Sequence, residues 1–111
     1  MLPHKIVITG ESRIELVDIE SILYIVADVY GAVIYMEDRQ RLCCNKTLCF
    51  FEQYLPDFFF RINRNTIISI PHIIKINKSS REIILKGEIV LSPSIRKLRE
   101  LTNHLSINVI Q

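Results

Sequence analysis

The chain has 111 residues, of which 49% are hydrophobic and 23% charged, with a formal net charge of +2. That length fits a single domain (residues 1–111, core about 13–104) able to bury its own apolar core, and that composition excludes a disordered tail. No apolar run reaches the roughly 20 residues of a membrane span, and Met1-Leu2-Pro3-His4-Lys5-Ile6 lacks the apolar stretch and small-residue cleavage site of a signal peptide.

Isoleucine is the commonest residue, at twenty. β-Branched enrichment in short runs predicts strands over helices. Lys5 to Thr9 reads as a strand, Gly10-Glu11-Ser12 as a turn, and Arg13 to Val17 as an alternating second strand. Asp18 can cap a single helical turn. Ile22 to Ala27 is apolar enough to be buried on both faces. Asp28-Val29-Tyr30-Gly31 is a turn that uses Gly31 for a positive φ. Ala32 to Met36 returns as a fourth strand, Glu37 to Arg39 turns, and Gln40 to Cys44 is a fifth.

Asn45 or Thr47 caps a short helix to Leu55, with Leu48, Phe51 and Leu55 on one face and Pro56 as the stop. Phe58-Phe59-Phe60 reads as core. Arg61 to Thr66 interrupts it as a polar, basic loop. Ile67 to Ile70 is apolar again, and Pro71 breaks it. Ile73 to Asn77 is a strand and Lys78 to Arg81 a turn. Glu82 to Lys86 and Glu88 to Leu91 form a hairpin about Gly87. Ser92 as cap and Pro93 at the first position start a helix that points Ile95, Leu98, Leu101 and Leu105 inward and Arg96, Lys97 and Arg99 outward. The tail to Gln111 is ambiguous. The sum is a mainly β (α+β) domain with two short helices and mostly antiparallel pairing.

Charge is unevenly spread. Residues 1–38 carry two basic and seven acidic side chains, and residues 39–111 carry twelve basic and five acidic ones. No acid lies between Asp57 and Glu82, a window that holds Arg61, Arg64, Lys75, Lys78 and Arg81. Such asymmetry suggests a polyanion partner; the bland alternative is a solvated face compensated by the acidic half.

Enzyme chemistry finds little support. Cys43 and Cys44 are adjacent, so on a strand they face opposite ways and cannot share a metal. His4, His72 and His104 have no ligand spacing, and no Cys-x-x-Cys or glycine-rich phosphate loop occurs. The three cysteines read as small apolar fillers of a protein from the reducing cytoplasm. Cys49 as an activated thiol lacks any accompanying base. The sequence therefore calls for no catalytic residue, no metal and no cofactor.

The remaining candidate is the 61–66 interruption. Arginine can donate two hydrogen bonds to a guanine edge, and asparagine can pair with adenine or donate to phosphate. Arg64 between Asn63 and Asn65 therefore suits groove readout. The structural alternative pairs Arg61 with an acid of the same fold and leaves Arg64 simply exposed.

Three segments carry a resemblance to the LytTR family, the DNA-binding output domain of bacterial two-component response regulators. The first is Asp18-Ile19-Glu20-Ser21-Ile22-Leu23-Tyr24-Ile25-Val26-Ala27-Asp28. The second is Thr47-Leu48 and Leu55 followed by Phe59-Phe60-Arg61-Ile62-Asn63-Arg64-Asn65-Thr66-Ile67-Ile68-Ser69. It is similar to the family's most characteristic pattern, apolar-Phe-x-Arg-Ile-His-Arg-Ser-x-x-Val-Asn. The third is Ile89-Val90-Leu91-Ser92 leading into the last helix.

The resemblance implies an elongated stack of antiparallel sheets whose loops enter DNA grooves. It further implies a transcriptional regulator that binds paired imperfect direct repeats and bends double-stranded DNA, with a second copy paired on the DNA. It implies three contact loops. One carries Arg64, with Asn63, Asn65 and Ser69 at motif positions where the family has His, Ser and Asn. Another is the turn with Asp28 and Tyr30, where Val29 replaces a usual polar residue. The third follows Ser92 and offers Ser94, Arg96 and Lys97. Lys46 and Thr47 would hold phosphates. No receiver domain is evident. Met1 fits a stand-alone protein, and the Leu2-Pro3 start fits a linker remnant. The alternative function is a protein-interaction module of the same fold that modulates a related regulator, for instance through the Lys5–Thr9 sheet edge.

Overall fold

The computed structural model describes residues 4–106 and 110; the Met1-Leu2-Pro3 start and most of the tail after Ser106 lie outside the described residues. Ten strands and two helices follow one another: β1 (Lys5–Thr9), β2 (Ile14–Asp18), β3 (Ile22–Asp28), β4 (Gly31–Met36), β5 (Arg41–Cys44), α1 (Leu48–Tyr54), β6 (Phe59–Asn63), β7 (Thr66–Ser69), β8 (Ile73–Asn77), β9 (Glu82–Leu85), β10 (Ile89–Leu91) and α2 (Ile95–Leu105). All strand pairs are antiparallel. They make a β1-β2 ribbon, a central five-stranded sheet in the order β5-β4-β3-β7-β6, and a three-stranded sheet in the order β10-β9-β8.

The central sheet is buried on both faces, as the apolar run from Ile22 predicts. Ile22 and Ile25 of β3 and Ile67 of β7 join one core with Val17 of β2 and Leu48, Phe51 and Leu55 around α1. Leu23 of β3 and Ile68 of β7 join a second core with Ile83 and Leu85 of β9 and Leu101 of α2. Ile22 and Ile25 share a face because the β3–β4 register shifts between Ile22 and Tyr24. Each fully buried Ile or Leu contributes about 1.5–3 kcal/mol. The stack is elongated, 50 × 29 × 25 Å.

Several local expectations change. Residues 61–66 are not an open loop: β6 and β7 form a hairpin, Arg61 and Asn63 are strand residues, and only Arg64 and Asn65 turn. The side chain of Asp18 caps nothing and instead meets Lys5 at 3.1 Å. Thr47, not Asn45, caps α1, its hydroxyl accepting from the Phe50 amide at 3.2 Å. Ser94, not Ser92, caps α2. The Ser94 amide donates to the Ile62 carbonyl at 2.9 Å, which holds the chain extended against β6 through Pro93 before the helix starts. Ile95 is then exposed, while Leu98 and Leu101 are buried and Leu105 packs partly against the second core. Lys97 is not free in solvent: its Nζ lies 3.2 Å from Glu100 and over the Phe60 ring. The cysteines are not core fillers either. Cys43 and Cys49 are exposed; only Cys44 packs partly against the first core, where burial raises its thiol pKa.

Gly31 has φ +151°, and a Cβ there would stand 2.1 Å from the Cys44 carbonyl oxygen and 2.8 Å from the Asn45 Cα. Both obstructions are backbone, so neither can swing aside. Gly31→Ala is expected to destabilise the fold by about 2–4 kcal/mol, read as a lower urea midpoint; an unchanged midpoint would contradict this close approach.

Ser69 is fully buried, and its hydroxyl lies 2.7 Å from His72 Nδ1. His72 Nε2 lies 2.6 Å from Glu37, which also meets Lys86 at 3.4 Å. This chain of contacts ties the end of β4 to the start of β8 and the β9–β10 turn. The hydrogen bond from His72 lowers the Glu37 pKa against the opposing effect of burial, with Lys86 adding to the lowering. A carboxylate depressed on folding stabilises the fold above its unfolded pKa, about 4.3, and loses that contribution as pH falls through its folded value. Glu37→Gln should therefore lower the melting temperature above pH ~5 and converge on wild type in acid, which flattens the acid side of a plot of melting temperature against pH. An identical acid limb would remove Glu37 from the link.

Candidate nucleic-acid interface

Antiparallel pairing sorts the turns to two ends of the stack. The Val29-Tyr30 turn, the Arg64-Asn65 turn, the Asn45–Thr47 segment and the Ser92–Ser94 segment lie at one end. The Ala27 amide donates to the Asn65 carbonyl at 2.8 Å, which sets two hairpin tips side by side.

Arg61 organises this end from inside. Its Nη1 lies 2.7 Å from Glu52 of α1, its Nε donates to the Asn63 carbonyl, and its Nη2 donates to the Arg64 carbonyl. Burial works to lower the guanidinium pKa, but its bonds to Glu52 and Cys49 outweigh that and keep it raised. The planar fork of arginine suits three acceptors on different elements; a lysine ammonium would not span them.

Asn63 is committed at both ends. Its Oδ1 accepts from the Asn65 amide at 2.8 Å, and its Nδ2 donates to the Ser92 carbonyl at 2.9 Å. Asn63 thus fastens the β6–β7 turn to the segment before α2. Asp28 accepts from the Tyr30 amide at 3.2 Å, closing its own turn. Val29 and Tyr30 are 90% and 86% exposed. Thr47 and Ser94 use their side-chain oxygens as helix caps.

Arg64 and Arg96 differ from these. Both are exposed, and among the described residues neither has an acid within ion-pair distance. They line one open groove with Glu52, Arg61, Asn63, Ser94 and Lys97. A second groove, lined by Asp28, Tyr30, Thr47 and Cys49 among others, shares Arg61 with the first. Nearly all of the residues singled out from the sequence therefore meet at this end. Two do not fit. Ser69 is buried near the opposite end. Lys46 turns away, its Nζ lying over the Phe50 ring at 5.1 Å, on the side facing β1.

The pairing of Arg61 with an acid, named from the sequence as the structural alternative, is found with Glu52; what the sequence reading missed is the pair of bonds from Arg61 to the Asn63 and Arg64 carbonyls and the acceptor role of Ser92. The alternation Phe60-Arg61-Ile62-Asn63 carried a signal, since Phe60 and Ile62 both face the second core. Pairing across nine residues with Glu52, around Pro56, had none. Arg61→Lys should speed hydrogen exchange at the Asn65 amide, because the turn loses its fork while keeping its charge; unchanged exchange would show that the turn holds itself.

A scan against family models matches the LytTr DNA-binding domain over residues 12–106. No curated protein matches the chain. Among solved structures, a LytTr DNA-binding domain assigned to a methyl-accepting/DNA response regulator from Bacillus cereus superposes with TM-score 0.78 at 18% identity, covering 93% of this chain and 97% of that one. The fold is the same, down to stacked antiparallel sheets with two short helices. With the family model spanning most of its length, the chain belongs to the LytTr DNA-binding domain family.

Proposed function

We propose that this protein binds double-stranded DNA sequence-specifically and regulates transcription in the bacterial cytoplasm, presenting turns rather than a recognition helix to the grooves. Arg64 reads a base edge. Asn65 lies beside it at the tip, and Asn63 positions both. Tyr30, on a turn closed by Asp28, meets the duplex from the neighbouring hairpin, where Val29 offers an apolar contact of the kind a thymine methyl accepts. Ser94, Arg96 and Lys97 supply the third contact, and Thr47 lies along the phosphate path. Ser69 has no place in this surface. The protein acts as a monomer in solution that pairs with a second copy on direct repeats.

The observation that carries this reading is Arg64. Among the described residues it has no acid within ion-pair distance, and it stands at the tip of a turn that Arg61 and Asn63 hold. Exposure alone is also what the structural alternative gives Arg64; the bonds by which Arg61 and Asn63 hold its turn are what favour its presentation to a partner.

Fluorescence anisotropy against duplexes selected from a random pool tests the reading. Wild type should enrich a repeat, and Arg64→Ala should lose that preference, at a cost of about 1–3 kcal/mol. About four phosphate contacts predict a loss of roughly two orders of magnitude in affinity between 50 and 200 mM salt. Failure to bind any duplex at low salt would move the function to protein interaction through the same fold.

A further inference from the structure

We propose that the β8–β9 turn, Lys78 to Arg81, is a further DNA contact that clamps backbone phosphates beside the groove faced by Arg64 and Arg96. The proposal rests on the DNA-binding reading above and adds to it an element outside the three contact loops that the sequence resemblance implies.

The register fixes where the turn lies. Leu91 of β10 pairs with Ile83 of β9, and Ile83 pairs with Ile76 of β8. The chain leaves β10 at Ser92 on the same side of the sheet from which residues 78–81 project. The Ser92 carbonyl is the one held by Asn63, at the base of the Arg64 turn. Neighbouring strands are about 4.8 Å apart, so the β8–β9 turn stands roughly 5–10 Å to the side of Ser92. The major groove is about 12 Å wide, so a turn at that offset from a groove-seated loop meets the phosphate rim rather than the bases.

The chemistry of the turn agrees. Lys78, Ser79, Ser80 and Arg81 are all exposed, as is Lys75 just before them on β8. Among the described residues none of the three cations has an acid within ion-pair distance. The one acid beside them, Glu82, is partly buried and accepts from the Ser80 hydroxyl at 3.0 Å. By contrast Lys5, Arg13 and Lys86 are each paired with an acid.

Arg81 also sits at φ +54°, in the left-handed region. A side chain there is strained relative to glycine. Since the Arg81 side chain is exposed, it offers the core nothing in return. That separates a binding role from a folding role. Arg81→Gly relieves the backbone and removes the charge.

The test is the double variant Lys78→Ala, Arg81→Gly, assayed by anisotropy on the selected duplex and on a scrambled one over a salt series, with a thermal melt alongside. The melting temperature should hold or rise. Affinity should fall about 10- to 100-fold on both duplexes alike, and the slope of log affinity against log salt should shrink by about 1.8, or 0.9 per phosphate. An unchanged slope and affinity, with wild type still selecting its duplex, would overturn the clamp and leave the DNA reading intact. A loss confined to the selected duplex at unchanged slope would also overturn it, since the turn would then read bases. Wild type binding no duplex at low salt would overturn both.

Discussion

The rest of the structure depends on one constraint: the central sheet is apolar on both faces. Ile67 and Ile68 are neighbours in sequence, yet each is fully buried in a different core. Water must be excluded from both sides, so the chain has to build a layer on each. The β1–β2 ribbon with α1 closes one side, and β8–β10 with α2 closes the other. Neither cover is large enough to bury a sheet alone, and neither has a second face to build on. The result is a stack that ends in turns rather than in more sheet. Because every pairing is antiparallel, those turns fall alternately at two ends, and each end gathers residues far apart in sequence.

The two ends use polar side chains differently. At one, Ser69, His72, Glu37 and Lys86 form a continuous chain between two sheets. The order hydroxyl, imidazole, carboxylate resembles a nucleophile with its base and orienting acid. But the hydroxyl is fully buried with no cleft in front of it, so the contacts serve to join β4 to β8. At the other end, Arg61, Asn63 and Asp28 are consumed in holding turns. Holding a turn rigid before it meets a partner removes an ordering cost that would otherwise oppose binding. Around the β6–β7 turn what remains unspent is Arg64 and Arg96, while Glu11 and Glu15 lie beside the Tyr30 turn.

Much of the fold was legible because period-two alternation and turn chemistry are local. Lys5–Thr9 and Ile73–Asn77 read off the sequence with the bounds they have in the structure. The burial of β3 on both faces followed from its unbroken apolar run. The misreadings arose where a distant contact decided the outcome. Polarity made 61–66 look like a loop, but the pairing of β6 with β7 recruits Arg61 and Asn63 into a strand. Ser92-Pro93 carries a stronger local start signal than Pro93-Ser94, but the bond from Ser94 to Ile62 delays the helix. The cysteines looked like fillers because isolated cysteine is usually buried, and only the layering leaves Cys43 and Cys49 outside. Of the candidate site, sequence pattern located the turns; it could not separate Arg64, unpaired among the described residues, from Asn63, which is used internally, because that difference lies in hydrogen bonds to Ser92 and Asn65.

The same logic explains why net charge was a poor guide and charge position a better one. A total of +2 describes a nearly neutral molecule. Strands of five to seven residues span about 17–24 Å. That is two or more Debye lengths at physiological salt, where screening acts over about 8 Å. Glu20, Glu37, Asp38 and Asp57 lie at the end opposite Arg64, in the turns around β4 and β6. At that distance they scarcely weaken the field that Arg64, Lys78, Arg81 and Arg96 set up in the water beyond their own turns. A polyanion approaching the Arg64 turn meets those cations, with Glu52 in the same groove and Glu11, Glu15 and Asp28 beside the neighbouring Tyr30 turn. Antiparallel layering brings the cations of β6–β7, β8–β9 and the start of α2 that are unpaired among the described residues to one side of the fold, where the paired Arg61 and Lys97 also lie.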